Sequence, residues 1–513
     1  MKKIKGLIAI VLVGVLFGDM TAASVRAMEQ NPGSPAPSGA GTANILHVPL
    51  ILVQKRPTNP VFGIEMGNEL ADPSNGGPAD LMAKAGANWV RNNALLWSAV
   101  EPTQGVRQWD SALDSRLVNA ANFNLTPILI IRSTPTWAQL HPNNFCGPIK
   151  PGMLDAFANF MKDVVTRYSA SPYKVNYYEI WNEPDVLWSL FSGDSQFGCW
   201  GDSTDSYYGG GYYAAMLTKV YPAIKQANPN AQVLVGGLLL DCDPNNPPAG
   251  KDCVASKFLE GILLNGGGDY FDGVSFHAYD YFTAPSDFND PYNNLGNYSN
   301  SNWASVWNTT GPAMIAKTNY LRSLLNKYGF SLKYLMNTEV GLRCYRLADK
   351  YCNSAYSTSA NYQNTKAYFL VQSYVIAASL GLNANVWYNY YGWDYSGLYN
   401  AGTGKVEPSY NAYKFTRGAI YSTTPAGAIS PAPGVMGYAF AGKNYHLWVL
   451  WYIGGTASDG TVNTLLSLPS VPTAIWQWVN FGINLSNEGF YQSSPPSQQV
   501  SIGRAPVFIE FIP

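Results

Sequence analysis

The chain has 513 residues, too many for one core of ordinary size, and points to a large domain with a smaller one beside it. Its formal net charge of −1 leaves no basic footprint for nucleic acid, and 47% hydrophobic residues with 48 Gly and 34 Pro describe a globular, loop-rich chain rather than a disordered one. Aromatic residues (14%) outnumber charged ones (13%), a balance that suits either a large aromatic core or a neutral, hydroxyl-rich ligand that stacks on rings.

Residues 1–27 read as an export signal. Lys2, Lys3 and Lys5 precede an apolar run from Gly6 to Phe17, and Val25-Arg26-Ala27 gives a small-residue cleavage pattern. The run is short of the roughly 20 residues that span a bilayer, and no later run is longer, so a secreted protein with no membrane segment after cleavage is expected. Residues 28–58 form a linker and N-terminal extension: 28–44 are rich in Pro, Gly, Ser and Ala, and "ILHVPLILV" is strand-like.

From 59 to 418 strand-like and helix-like stretches alternate. Strands are expected at 61–66, 88–93, 127–133, 175–181, 232–237, 271–279, 333–339 and 385–391. Between them "LDAFANFMKDVVTRY" repeats apolar residues at helical spacing, and "YYAAMLTKVYPAIKQANP" stops at Asn-Pro. Eight strands with intervening helices argue for an α/β fold, a closed (β/α)₈ TIM barrel. No glycine-rich phosphate fingerprint follows the first strand, which weakens an open dinucleotide-binding sheet. Long loops follow strands four (185–209) and six (280–312), on the face where barrels of this kind carry their sites. From 419 to 513 short strands separated by Gly, Pro, Ser and Asn predict a small all-β sandwich.

The six cysteines, with no CxxC, and four scattered histidines fit an oxidising compartment and speak against structural zinc. The close pairs Cys242/Cys253 and Cys344/Cys352 invite short-loop disulfides and leave Cys146 with Cys199, one of fifteen possible connectivities.

The chemistry concentrates in "YYEIWNEPD", 177–185. Strand formers run into Asn182-Glu183-Pro184, and Pro184 ends the strand with Glu183 at the barrel mouth. Glu179, four residues earlier on the same side, reads as a buried structural acid paired with an arginine. "YLMNTEVG" is a second strand ending in an acid, Glu339, on strand seven. Two carboxylates flanking a sugar are what glycosidic cleavage requires. Glu101 in "VEP" reads as a structural loop acid.

On these motifs the sequence resembles the clan A glycoside hydrolases over about 60–415. The motifs are "WVRNNALLWSAVEPTQG", "IIRSTPTWA", "YYEIWNEPD", "GVSFHAYDY", "LMNTEVG" and "VWYNYYGW", in that order. Their flavour is that of the family 39 β-xylosidases and family 5 cellulases. The resemblance implies Glu183 as general acid/base and Glu339 as nucleophile of a retaining, two-glutamate mechanism. It implies Asn182 on the sugar 2-hydroxyl, His277 and Tyr279 after strand six, with Tyr279 on the nucleophile, and Arg91 holding the nucleophile ionised. Arg91 pairing with Glu179 instead, and Arg132 in the same role, stay open. Trp387 would floor the sugar subsite, although Trp393 also fits. Trp181 and Trp188 would wall Glu183, and Trp188, Phe191, Trp200, Tyr281 and Trp303 are platform candidates. A poly- or oligosaccharide substrate is implied, with no metal or organic cofactor, acted on by a monomer. The competing reading is a non-catalytic carbohydrate-binding barrel.

Overall fold

The computed structural model describes residues 60–66, 77–191, 193, 195–282, 303–304, 307, 312–344, 360–392, 395–453, 463–479, 485–493 and 496–512. The export segment, the linker, Trp393, Cys352 and most of the loop after strand six lie outside these residues.

Eight strands close into a parallel barrel. They are β1 (Phe62–Met66), β2 (Trp89–Leu96), β3 (Thr126–Arg132), β4 (Tyr177–Asn182), β5 (Gln232–Leu238), β6 (Gly273–Phe282), β7 (Tyr334–Arg343) and β8 (Ala384–Trp387). Each pairs in parallel with its sequence neighbour, and β8 closes onto β1 through Val386 opposite Gly63. A two-residue antiparallel strand, Trp303–Ala304, caps β6 at Tyr281 and Phe282. Helices α1 (Gly77–Ala85), α2 (Ser111–Asn122), α3 (Leu154–Tyr168), α4 (Gly210–Ala227), α5 (Phe258–Leu264), α6 (Met314–Lys327), α7 (Ala360–Ser379) and α8 (Pro408–Ile420) intervene or follow.

The strands are buried on both faces, and the two faces do different work. Outward residues pack against helices. On α3, Leu154, Phe157, Ala158, Met161, Val164, Val165 and Tyr168 recur every three to four residues, and all are buried. Inward, Trp89, Ile128, Leu234, Met336, Ala384 and Val386, with Tyr177 and Tyr334 against them, fill the barrel as an apolar plug. Two residues on from Trp89 comes Arg91, and two on from Tyr177 comes Glu179, so strand alternation places a charged layer above the plug.

Beyond α8 the described strands pair antiparallel. Strands β9 (Thr424–Ile429), β10 (Val435–Ala441), β11 (His446–Tyr452), β13 (Ala474–Val479), β14 (Gly489–Gln492) and β16 (Val507–Phe511) form one sheet in the order β9-β10-β11-β16-β13-β14. A second pairs β12 (Thr464–Ser467) with β15 (Gln499–Ile502). Leu466, Val500 and Ile502 from the small sheet bury against Leu450, Ile475 and Ile509 of the large one, a small sandwich core. The sandwich is packed on the barrel through α8. Phe415 stacks on Phe490 at 4.6 Å and meets Phe508 edge-on at 5.0 Å. Asn411 Nδ2 donates to the carbonyls of Ser486 and Glu488, and Trp478 Nε1 donates to Asn364 Oδ1 on α7.

Two of the expected disulfides are present, Cys146–Cys199 and Cys242–Cys253, with Cα atoms 5.3 and 5.2 Å apart. The third expectation includes Cys352, outside the described residues. Among the described residues no helix is long and apolar enough to cross a membrane.

Candidate active site

The end of β4 departs from regular strand geometry. Trp181 has φ 70° and Glu183 φ 50°, left-handed values that are costly for residues with a β-carbon. Simple alternation from Glu179 accounts for Glu183 on the barrel side but would turn Asn182 away. With the two left-handed residues around it, Asn182 lines the mouth beside Glu183. Trp181 turns outward: its Nε1 donates to the Cys146 carbonyl, and its ring meets Phe157 and Trp200 edge-on. The Glu183 amide donates to the Gly237 carbonyl on β5 at 2.9 Å.

The two acids sit in different surroundings. Glu339, at the mouth end of β7, accepts at Oε1 from Arg91 Nη1 (2.5 Å) and at Oε2 from the Tyr279 hydroxyl (2.5 Å). Glu183 Oε1 lies 2.7 Å from His277 Nδ1. The other His277 nitrogen is 3.5 Å from Glu339 Oε1 and makes no hydrogen bond, so the imidazole lies between the two acids and is bonded to Glu183 alone. One oxygen of each carboxylate and one His277 nitrogen all lie within 4.8 Å of one another. Burial pushes the Glu183 carboxyl up to about 7 against the pull of Arg91, Lys317 and Arg343. Burial lowers His277 to about 4, which leaves it neutral near neutrality. Burial and the neighbouring Glu339 charge hold the Tyr279 hydroxyl protonated, well above its ordinary value.

Arg91 organises the charged layer. Its Nη1 also donates to Glu65 (2.7 Å), its Nε and Nη2 to Glu179 Oε1 (3.1 and 2.6 Å), and Nη2 to Asn182 Oδ1 (2.5 Å). Arg91 therefore holds Glu339 and Glu179 at once. Gly237 makes room for the histidine: a Cβ there would fall 2.1 Å from His277 Nε2.

The surrounding mouth is a cavity of about 450 Å³ lined in part by Asn182, Glu183, Gln196, Phe197, Leu239, Leu240, Tyr279, Tyr281, Arg343 and Tyr388. A larger cleft, about 820 Å³, lies at the seam of α8 and the sandwich and contains none of the site residues above.

The structure brings together Glu183, Glu339, Asn182, His277, Tyr279 and Arg91, and leaves Trp387 aside. Trp387 is fully buried in the layer between barrel and helices, beside Phe369 of α7, with its Nε1 donating to the Ser396 carbonyl. The cause is parity: Ala384 and Val386 face inward, so 387 faces out, and Tyr388 lines the cavity instead. The expected tryptophan wall is also corrected. Trp181 points outward and Trp188 stacks on His141 at 3.7 Å, while Phe197, Leu239 and Leu240 give the cavity its apolar lining. Trp200 is buried against Trp181, and Arg132 donates to the Ser195 carbonyl. Glu101 is a scaffold acid, accepting from Trp97 Nε1 and the Gly105 amide.

Three site residues went unread in the sequence. Glu65 sits inward on β1, where alternation from Gly63 marks it. Asp185 accepts from the Leu239 and Leu240 amides and fixes the turn after β5; burial raises it to about 7 despite those bonds. Lys317, on α6, donates to the carbonyls of Leu239 and His277, and burial lowers it to about 8. No local pattern marks a helical lysine for this position.

A closed parallel barrel with converging carboxylates at its C-terminal mouth defines the class of architecture. No family's sequence model matches the chain, and no curated protein matches it significantly. Solved structures do. A family 39 glycoside hydrolase from Bacteroides cellulosilyticus aligns over 89% of this chain and 82% of its own, with TM-score 0.60 and 17% identity. The catalytic domain of GH30 xylanase C from Talaromyces cellulolyticus aligns over 89% and 97%, with TM-score 0.58 and 15% identity. A GH39 β-xylosidase from Caulobacter crescentus aligns over 89% and 97%, with TM-score 0.52 and 13% identity. The barrel with its appended β-domain is the fold of these GH39 and GH30 structures.

Proposed function

We propose that the chain is a secreted, retaining O-glycoside hydrolase of poly- or oligosaccharides, with Glu339 as nucleophile and Glu183 as acid/base. The observation that carries this reading is the approach of Glu183 and Glu339 oxygens to within 4.8 Å in opposite environments. An approach this short lies on the side of retaining enzymes, whose carboxyls stand ~5–5.5 Å apart, rather than of inverting ones, which need ~6.5–9.5 Å for an intervening water.

The environments assign the roles. A nucleophile must be ionised, and Glu339 has a guanidinium on one oxygen and a phenol on the other. Its carboxylate attacks the anomeric carbon as Glu183 protonates the departing oxygen. An acid needs a proton near neutrality, and burial supplies Glu183 with one. The ester formed at Glu339 no longer carries charge, so Glu183 ionises more readily and takes a proton from the water that releases the sugar. Neutral His277 suits both states of Glu183, because Nδ1 accepts from the acid and, as N–H, donates to the carboxylate. Asn182, its Oδ1 held by Arg91 and its Nδ2 by the Gln196 carbonyl, is placed for the 2-hydroxyl.

The three converging ligand atoms of Glu183, His277 and Glu339 have the spacing of a cation site. Both Glu339 oxygens are already hydrogen-bonded, one of them by the Arg91 guanidinium, which favours the metal-free chemistry. Two disulfides support export to an oxidising compartment. The test is hydrolysis of a panel of xylan, glucan, mannan and aryl glycosides, with the anomer of the first product followed by NMR. Retention at the anomeric carbon is expected; inversion, or no turnover on any of them, overturns the reading.

A further inference from the structure

The two-carboxylate mechanism makes no use of Glu65, yet this residue is only 6% exposed in the middle of the site. It shares Arg91 Nη1 with Glu339, and the remaining N–H groups of the guanidinium go to Glu179 and Asn182. All five guanidinium donors are thus engaged. Three carboxylates, Glu65, Glu179 and Glu339, surround this one positive charge. Were all three ionised, the cluster would hold a net negative charge in a space largely closed to water, an arrangement that is strongly disfavoured.

The three are not equivalent. Glu179 accepts two N–H groups, and Glu339 accepts from both Arg91 and Tyr279. Glu65 shares a single guanidinium nitrogen with the nucleophile. The groups facing it are Arg91 from β2, Glu179 from β4, Tyr279 from β6, Glu339 from β7 and Tyr388 from the segment after β8.

We propose that Glu65 carries a proton in the resting protein and serves as a positioning residue, leaving the Arg91 charge to Glu339 and Glu179. Burial pushes its carboxyl up to about 8, with Arg91 opposing and Glu339 and Glu179 adding to the rise. While Glu65 is neutral, the Nη1 bond to Glu339 has no anionic competitor. As pH rises through about 8, Glu65 ionises and draws the guanidinium from the nucleophile.

The catalytic consequence rests on the glycosidase reading; the protonation state does not, and the two are tested separately. A carboxyl raised on folding contributes stability at low pH that is lost as pH climbs from its ordinary value toward its folded one. Glu65→Gln mimics the protonated acid and has no such loss. In the full chain, the melting temperature of Glu65→Gln relative to wild type should be higher at about pH 8 than at about pH 5. Glu65→Met, neutral and of similar volume, should show the same sign. A difference that is flat or falls with pH, or failure of both neutral variants to fold, overturns the proposal. On a substrate that wild type cleaves, the limb near pH 7 set by Glu183 should appear in both proteins, and a further loss above about pH 8 should appear in wild type and be absent from Glu65→Gln. If wild type cleaves nothing, the glycosidase reading fails while the melting comparison still decides Glu65.

Discussion

The division of labour proposed for Glu183 and Glu339 rests on what touches each carboxylate. Replacing Glu339 with Ala should lower kcat by about 10⁴-fold or more on every substrate, because the proposed mechanism has no other nucleophile. Glu183→Ala should cost about 10²–10⁴-fold on poor leaving groups and far less on nitrophenyl-type ones, which depart without a proton. Equal losses on both would remove the acid role. The acid must be protonated, so kcat/KM should fall as pH rises through about 7, the value to which burial brings Glu183. A pH–rate profile with no alkaline limb in that region would contradict this environment. Arg91→Lys offers three donors where five are used, and breaking buried pairs of this kind costs roughly 3–5 kcal/mol, measurable by denaturant unfolding.

At the scale of elements, the loops after β3 and β4 hold the cavity rim, and the Cys146–Cys199 bond joins them. Next to it Asn144 Nδ2 donates to the Trp188 carbonyl, and Trp181 Nε1 to the Cys146 carbonyl, so the cystine backs the strained end of β4. Cys146→Ser with Cys199→Ser should therefore lower stability by about 2–4 kcal/mol. It should raise KM more than it lowers kcat, since Gln196 and Phe197 ride on the tethered loop; a change in kcat alone would place the loop's influence elsewhere. Most of these elements were legible from the sequence. The eight barrel strands fall where apolar and β-branched runs lie, with β6 and β7 running on to Phe282 and Arg343 and β8 stopping at Trp387. Trp387 was misread because residue type was followed and parity was not.

At the scale of the molecule, the sandwich is an extension of the barrel's packing. Phe415 on α8 is shared with Phe490 and Phe508. Phe415→Ala should cost about 3 kcal/mol and lower the melting transition of barrel and sandwich together. Two separate transitions, or unchanged barrel melting on removal of the sandwich, would show independent units.

The sequence by itself determined the alternation of strands and helices, the all-β tail, and the acids of strands four and seven, although strand seven runs four residues past Glu339. These follow from local rules: period, strand-ending proline and chain order. Only the tertiary structure decided which charges share a partner. Arg91, Glu65, Glu179 and Glu339 come from four strands spread over 275 residues and meet because closing the barrel brings its inward positions to one level. Barrel closure also fixed which aromatic residues face the mouth, and it buried Glu183 and Glu65 deeply enough to raise their proton affinities. No local pattern encodes that dielectric, because the residues that exclude the water arrive from the whole length of the chain.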